Sequence, residues 1–305
     1  MQKYQRISAI TILLAAVIIG SCKTKFDTTK SNFTAARSET ALDRGRVLVY
    51  SICGGCHYDR SVNKFIGTRI HEVPGIVGTV YSANLTHSKS NGVLAHYSDA
   101  EIKYLLKTGI ARDGRFVPYM LRPNMADEDL NAIIVYLRSD DPAVSAANTT
   151  IGSTHFTLIG KMAMNMMAKP LPYKTDIKRP PENDSIAAGR YLVDNIGCFH
   201  CHSKSLTKLN YLYPEQSKGY MAGGMKFKSP QGIEIYASNL TPDKQTGIGS
   251  YNIVQFRKAV KDGESPRGKL HPPMPEFKKL SDQEIDVMYA YLRSIPPADH
   301  KVQGH

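Results

Sequence analysis

Two pentapeptides bring thiols and an imidazole together at a spacing suited to one particular chemistry: Cys53-Gly54-Gly55-Cys56-His57 and Cys198-Phe199-His200-Cys201-His202. Cysteines two residues apart can each form a thioether with one vinyl group of a haem, while the histidine that follows turns its imidazole onto the iron. A thioredoxin-like dithiol would explain Cys-x-x-Cys but has no need of that histidine. A zinc site pooling Cys53, Cys56, Cys198 and Cys201 in one tetrahedral shell would leave both histidines unexplained. The motifs therefore indicate two covalent haem c groups, with His57 and His202 on the two irons. His200, at a spacer position of the second motif, is expected to face solvent.

The opposite face of each iron calls for a second ligand. Gly114-Arg115-Phe116-Val117-Pro118-Tyr119-Met120 and Gly268-Lys269-Leu270-His271-Pro272-Pro273-Met274 share glycine, a basic residue, proline and methionine at the same offsets. Proline stiffens a loop that must hold one thioether against iron. Met274 and Met120 are the ligands this alignment indicates. The interval from Met120 to the next helix is one residue shorter than in the second copy, which makes Met125 a rival. Met125 aligns with Leu280, a packing position. His271 is the alternative to Met274, although nothing in the first copy matches it.

The elements that must carry these ligands also occur twice. Leu42 to Val49 and Ile186 to Val193 are helix-like leads into the cysteines, and both contain Gly-Arg. Tyr81-Ser82-Ala83-Asn84-Leu85-Thr86 and Tyr236-Ala237-Ser238-Asn239-Leu240-Thr241 read as turns over a haem edge. The second copy is ten residues longer ahead of that turn, which suggests a surface loop over 219–232. Capping boxes, Ser98 with Glu101 and Asn252 with Gln255, open a helix in each copy, and Gly109 and Gly263 close them at equal spacing. The final helices, Asp127 to Arg138 and Asp282 to Arg293, repeat apolar residues at helical spacing, with acids in the first turn and arginine in the last. No strand pattern competes, so the expected class is all-α.

Lys3 and Arg6, an apolar run from Ile10 to Ile19 and then Gly20-Ser21-Cys22 read as a signal peptide, too short for a membrane span. Ile19-Gly20-Ser21-Cys22 resembles a bacterial lipobox, with Cys22 as the lipidated mature N-terminus. Four cysteines belong to the haem motifs and Cys22 is the fifth, so no thiol remains for a disulfide. Removal of the signal peptide lowers the formal charge from +12 to +10. Export argues against nucleic acid as the partner of this basic surface; an acidic redox protein suits it better.

The expected organisation is a signal peptide over 1–21, a flexible tether over 22–40, domains over 41–142 and 183–297, a linker over 143–182 and a tail over 298–305. The linker holds Met162, Met164, Met166 and Met167. Thioethers suit Cu(I), but no cysteine or paired histidine joins them, so a short helix packing between the domains is the expected role. Lys169-Pro170-Leu171-Pro172 and Arg179-Pro180-Pro181 then stiffen the way into the second domain.

In order of motifs the chain resembles the class I cytochrome c fold twice over, and in particular cytochrome c subunits of periplasmic quinoprotein dehydrogenases. Asn239-Leu240-Thr241-Pro242-Asp243 with Thr246-Gly247-Ile248-Gly249 carries the likeness; the first copy departs from it with His87-Ser88. The resemblance implies a soluble dihaem electron carrier; the lipobox adds an anchor through Cys22 on the periplasmic side of a bacterial membrane. Its partners would be a dehydrogenase or quinol oxidoreductase as donor and an oxidase or other cytochrome as acceptor. Six-coordinate irons do no bond chemistry. The alternatives are a peroxidase-like enzyme with one open haem and a subunit of a dehydrogenase or oxidase complex.

Overall fold

A computed structural model of the chain describes residues 26–28, 32–149, 151–229 and 232–303. The expected signal peptide and Cys22 lie outside the described residues. The first half contains α1 (Glu39–Leu48), α2 (Gly54–His57), α3 (Asp99–Thr108) and α4 (Asp127–Leu137), followed by α5 (Leu158–Met167). The second half contains α6 (Ser185–Ile196), α7 (Cys198–Cys201), α8 (Ile253–Asp262) and α9 (Asp282–Ser294).

In each half the leading helix crosses the final one at a glycine. A Cβ on Gly45 would lie 2.0 Å from the Ala132 carbonyl oxygen, and one on Gly189 would lie 1.9 Å from that of Val287. Only a bare Cα lets two backbones pass so closely. Ser38 caps α1 by accepting from the Ala41 N–H at 3.1 Å. α1 then continues through a π-helical turn, Val49–Cys53, into α2, so the first motif ends one helical stretch. The second half has one residue more between its crossing glycine and its first motif cysteine. There Gly197, at φ 92°, stops α6 and starts α7.

Both capping boxes form, and Gly109 and Gly263 close their helices at φ 77° and 69°. Ser281 and Glu284 make a third box at the start of α9. Ala126 stands at the matching place before α4, and its N–H donates instead to the Tyr191 hydroxyl of the second half at 3.1 Å. Arg138 lies just past α4, where it binds Asp99 at 2.9 Å and the carbonyls of Leu94 and Tyr97.

Two cores result. Leu48, Val49, Leu106, Met125, Ile133 and Tyr136 are among the residues of the first, and Val193, Phe199, Phe256, Leu280, Ile285 and Leu292 of the second. Ile52 packs against both.

The structure departs from the all-α expectation by adding short antiparallel strands. β1 (Arg69–Ile70), β2 (Gly78–Tyr81) and β3 (His155–Phe156) form one sheet; β4 (Lys226–Lys228) pairs with β5 (Glu234–Tyr236), and β6 (Glu264–Ser265) with β7 (Gly268–Lys269). Strands of two to four residues are too short to leave a period-two pattern in the sequence. Within the expected 219–232 loop, Lys226–Lys228 pairs with β5, and Met221 is fully buried.

The connecting segments lie against the halves. Within the expected tether, Phe26 N–H donates to the Gly114 carbonyl, and Ala36 exchanges two hydrogen bonds with the Asn131 side chain. In the expected linker, Val144 is buried in the first core, and β3 adds an edge to β2. α5 sits on that edge through Gly160 and does not pack between the halves: Leu158, Ile159, Met162 and Met166 are exposed by 50% or more. Val302 of the expected tail is buried.

Candidate haem-binding sites

The two motif histidines are placed alike. His57 and His202 are buried, and each directs Nδ1 at 2.7 Å to a backbone carbonyl, of Ala83 in one half and Ser238 in the other. A ring whose Nδ1–H donates to a carbonyl offers Nε2 to a metal. Burial pushes the His57 pKa down, which favours the neutral, ligating form.

The accepting carbonyls belong to the residues just before Asn84 and Asn239, and those asparagines fix the turn. Asn84 Oδ1 accepts from Thr86 N–H at 2.8 Å while its Nδ2 donates to the Ala147 carbonyl at 2.9 Å. Asn239 does the same with Thr241 N–H at 2.9 Å and the Ala298 carbonyl at 2.8 Å. The segment after each final helix thus straps down the turn that orients the histidine.

Burial pushes the thiols of Cys53, Cys198 and Cys201 up to about 12, and that of Cys56 upward as well. No group of three or more His, Cys, Asp or Glu side chains among the described residues is arranged to hold a metal ion, so the four cysteines do not pool into one site.

Met120 and Met274 are partly buried against the first and second cores respectively. Met125 is fully buried and Leu280 is 2% exposed, so these aligned residues share a packing position. His271 is exposed. Some of the buried polar atoms without partners lie next to the motifs or a methionine loop: Ser51 Oγ before the first motif, Ser203 Oγ after the second and Arg122 Nε beyond Met120. Cysteine pairs of which Cys53 is buried, Cys198 and Cys201 half-buried and Cys56 exposed, oriented imidazoles, part-buried thioethers and these unmatched atoms together fit a covalently attached haem in each half.

Each methionine loop reaches toward the other half's motif. A Cβ on Gly55 would lie 3.9 Å from Pro275, the residue after Met274. Reciprocally, Leu121 and Arg122, after Met120, line a crevice with Phe199, His200 and Tyr211. His200 is accordingly half-buried and not solvent-facing, with its ring centroid 5.1 Å from that of Tyr211. The meeting of the halves, which no local pattern encodes, covers it.

No family model matches the chain. It is similar to the fructose dehydrogenase cytochrome subunit of Gluconobacter japonicus, at 25% identity over 96% of this chain and 60% of that one. It is also similar to the gluconate 2-dehydrogenase cytochrome c subunit of Pantoea cypripedii, at 27% identity over 88% and 63%. The cytochrome c subunit of the quinone alcohol dehydrogenase of Gluconobacter oxydans is 38% identical over 35% of this chain and 20% of its own length. The chain spans about three fifths of the length of the first two. These relatives are cytochrome subunits by name, the class that the motifs indicated.

Proposed function

We propose that the chain is a dihaem c-type cytochrome of two tandem class I domains, passing single electrons in the cell envelope from a dehydrogenase to a further acceptor. The observation that carries this reading is the duplicated site: two Cys-x-x-Cys-His motifs whose histidines are held through Nδ1 by equivalent carbonyls at the same 2.7 Å.

Cys53 and Cys56 would attach one haem and Cys198 and Cys201 the other, with His57 and Met120, and His202 and Met274, as the residues offered to the irons. Bound there, haem would supply the one-electron redox change, and a histidine and methionine ligand set would favour a raised potential. The protein's own part is orientation and exclusion. Ala83 and Ser238 fix the imidazoles, the asparagine turns close over them and the two cores limit water. Filled coordination spheres leave no position for peroxide, and the relatives do not favour the enzymatic alternative.

Export, with a lipid on Cys22, would hold the carrier on the periplasmic side of a bacterial membrane. Its position among the relatives favours a place as the cytochrome subunit of a dehydrogenase complex. Intact mass of protein matured in a host that attaches haem tests the reading: two haem masses per chain are expected. A chain of unmodified thiols would overturn it. Rapid binding of carbon monoxide by the reduced protein would remove the carrier assignment while keeping the haems.

A further inference from the structure

Arg122 is a buried cation, 6% exposed, in the crevice between the halves. Its Nη1 donates to the carbonyls of Leu121 at 2.6 Å and Tyr119 at 3.4 Å, and its Nε has no partner. Its nearest electrostatic neighbours include Cys53 and Cys56 of the first motif and Cys198 of the second, together with Tyr211, and no carboxylate pairs with it among the described residues. The His200 ring lines the same crevice. Asp194 also lines the crevice, but its carboxylate already accepts from the Tyr220 hydroxyl at 2.6 Å and lies 3.5 Å from Arg190.

An uncompensated guanidinium is costly to bury and cannot shed its proton, so the site keeps a permanent positive charge. In a haem the vinyl groups and the propionates lie on opposite edges. A cation beside the motif cysteines therefore faces the thioether edges, away from the propionates. Ferric haem carries one more positive charge than ferrous haem. A fixed cation nearby disfavours the ferric form, the more so where the surroundings are dry.

We infer that Arg122 is a shared tuning residue, a permanent cation between the thioether edges of both haems that raises their two reduction potentials together. The inference rests on the two-haem reading above and adds to it a single residue acting on both centres.

The test uses the full chain with its haems attached and the variants Arg122→Met, Arg122→Gln and Arg122→Lys, read by intact mass and spectroelectrochemical titration. Removing the charge with Met or Gln should lower both potentials, each by at least a tenfold change in the reduction equilibrium, about 59 mV for one electron. Lys should keep both near the parent values, because it retains the charge while losing the planar donor geometry. Gln keeps a polar group for the Leu121 and Tyr119 carbonyls, so a packing failure of the Met variant leaves a folded protein to measure. Two attached haems with unmoved potentials in the neutral variants would overturn the role, as would a shift at one haem alone or a Lys variant that behaves like Met. A chain lacking covalent haem would instead bring down the two-haem reading itself.

Discussion

Asn239 donates from Nδ2 to the Ala298 carbonyl at 2.8 Å, fastening the segment beyond the last helix to the turn that orients His202. Asn239 is 1% exposed, and its Oδ1 also accepts from the N–H and the hydroxyl of Thr241. Alanine there would leave the buried Thr241 amide without its acceptor and the half-buried Ala298 carbonyl without its shortest donor. Asn239→Ala should lower the stability of the haem-loaded protein by about 1–3 kcal/mol in urea unfolding. A loss within a few tenths of a kcal/mol would mean that the strap carries no load.

The methionines separate by role. Met274→Ala should open the iron of the second half to carbon monoxide and lower its potential, with both haems still attached. Met120→Ala should do the same in the first half. Met125→Ala should leave both potentials and carbon monoxide exclusion intact yet cost about 2–5 kcal/mol, because the side chain is fully buried. If the Met125 variant bound carbon monoxide and the Met120 variant did not, the assignment in the first half would be reversed.

Much of the site was legible because its chemistry is short-range. Cys-x-x-Cys-His, the capping boxes and the Asn-Leu-Thr turns each act within a few residues, so their spacing survives in the sequence. The crossing role of Gly45 and Gly189 was not read from the sequence, although both recur at one offset inside two helical patterns. What sequence could not show depends on contacts between distant segments. The docking of Phe26 on Phe116, the burial of His200 and the exposure of Met166 on α5 follow from how surfaces meet. Periodicity marks α5 as amphipathic but does not say whether anything covers its apolar side.

Asp194 gives stability a pH dependence that can be isolated. Burial pushes its carboxyl up to about 6, against the opposing effects of the Tyr220 hydroxyl and Arg190. The folded state thus keeps a proton that the unfolded chain releases near pH 4. The contribution is fully present below that pH and is lost as pH rises through about 6, some 3 kcal/mol at roughly 1.4 kcal/mol per unit. Asp127, held below the ordinary carboxylate range by Lys107 and Lys103 despite its own burial, slopes the opposite way. The difference between parent and Asp194→Asn in urea midpoint from pH 4 to 7 removes such shared terms. Parallel profiles would show that Asp194 titrates normally.

Arg44 joins the halves through unequal partners. Its Nε lies 3.0 Å from Asp129, which is 1% exposed and also accepts from the Tyr191 hydroxyl at 2.6 Å, while its Nη1 pairs with the more exposed Glu284. Asp129 and Glu284 hold the same place in the two copies, so one arginine serves both. Removing the buried carboxylate leaves Arg44 and the Tyr191 hydroxyl short of an acceptor, and Asp129→Asn should cost about 3–5 kcal/mol. Glu284→Gln, at the rim, should cost about 1 kcal/mol or less. Because the penalty at Asp129 comes chiefly from the charge left behind, adding Arg44→Met to Asp129→Asn should recover part of it. A double-mutant cycle in thermal unfolding reads that coupling directly. Strict additivity of the two losses would mean that Arg44 and Asp129 contribute separately, and that the halves are held by apolar contacts such as those of Ile52 instead.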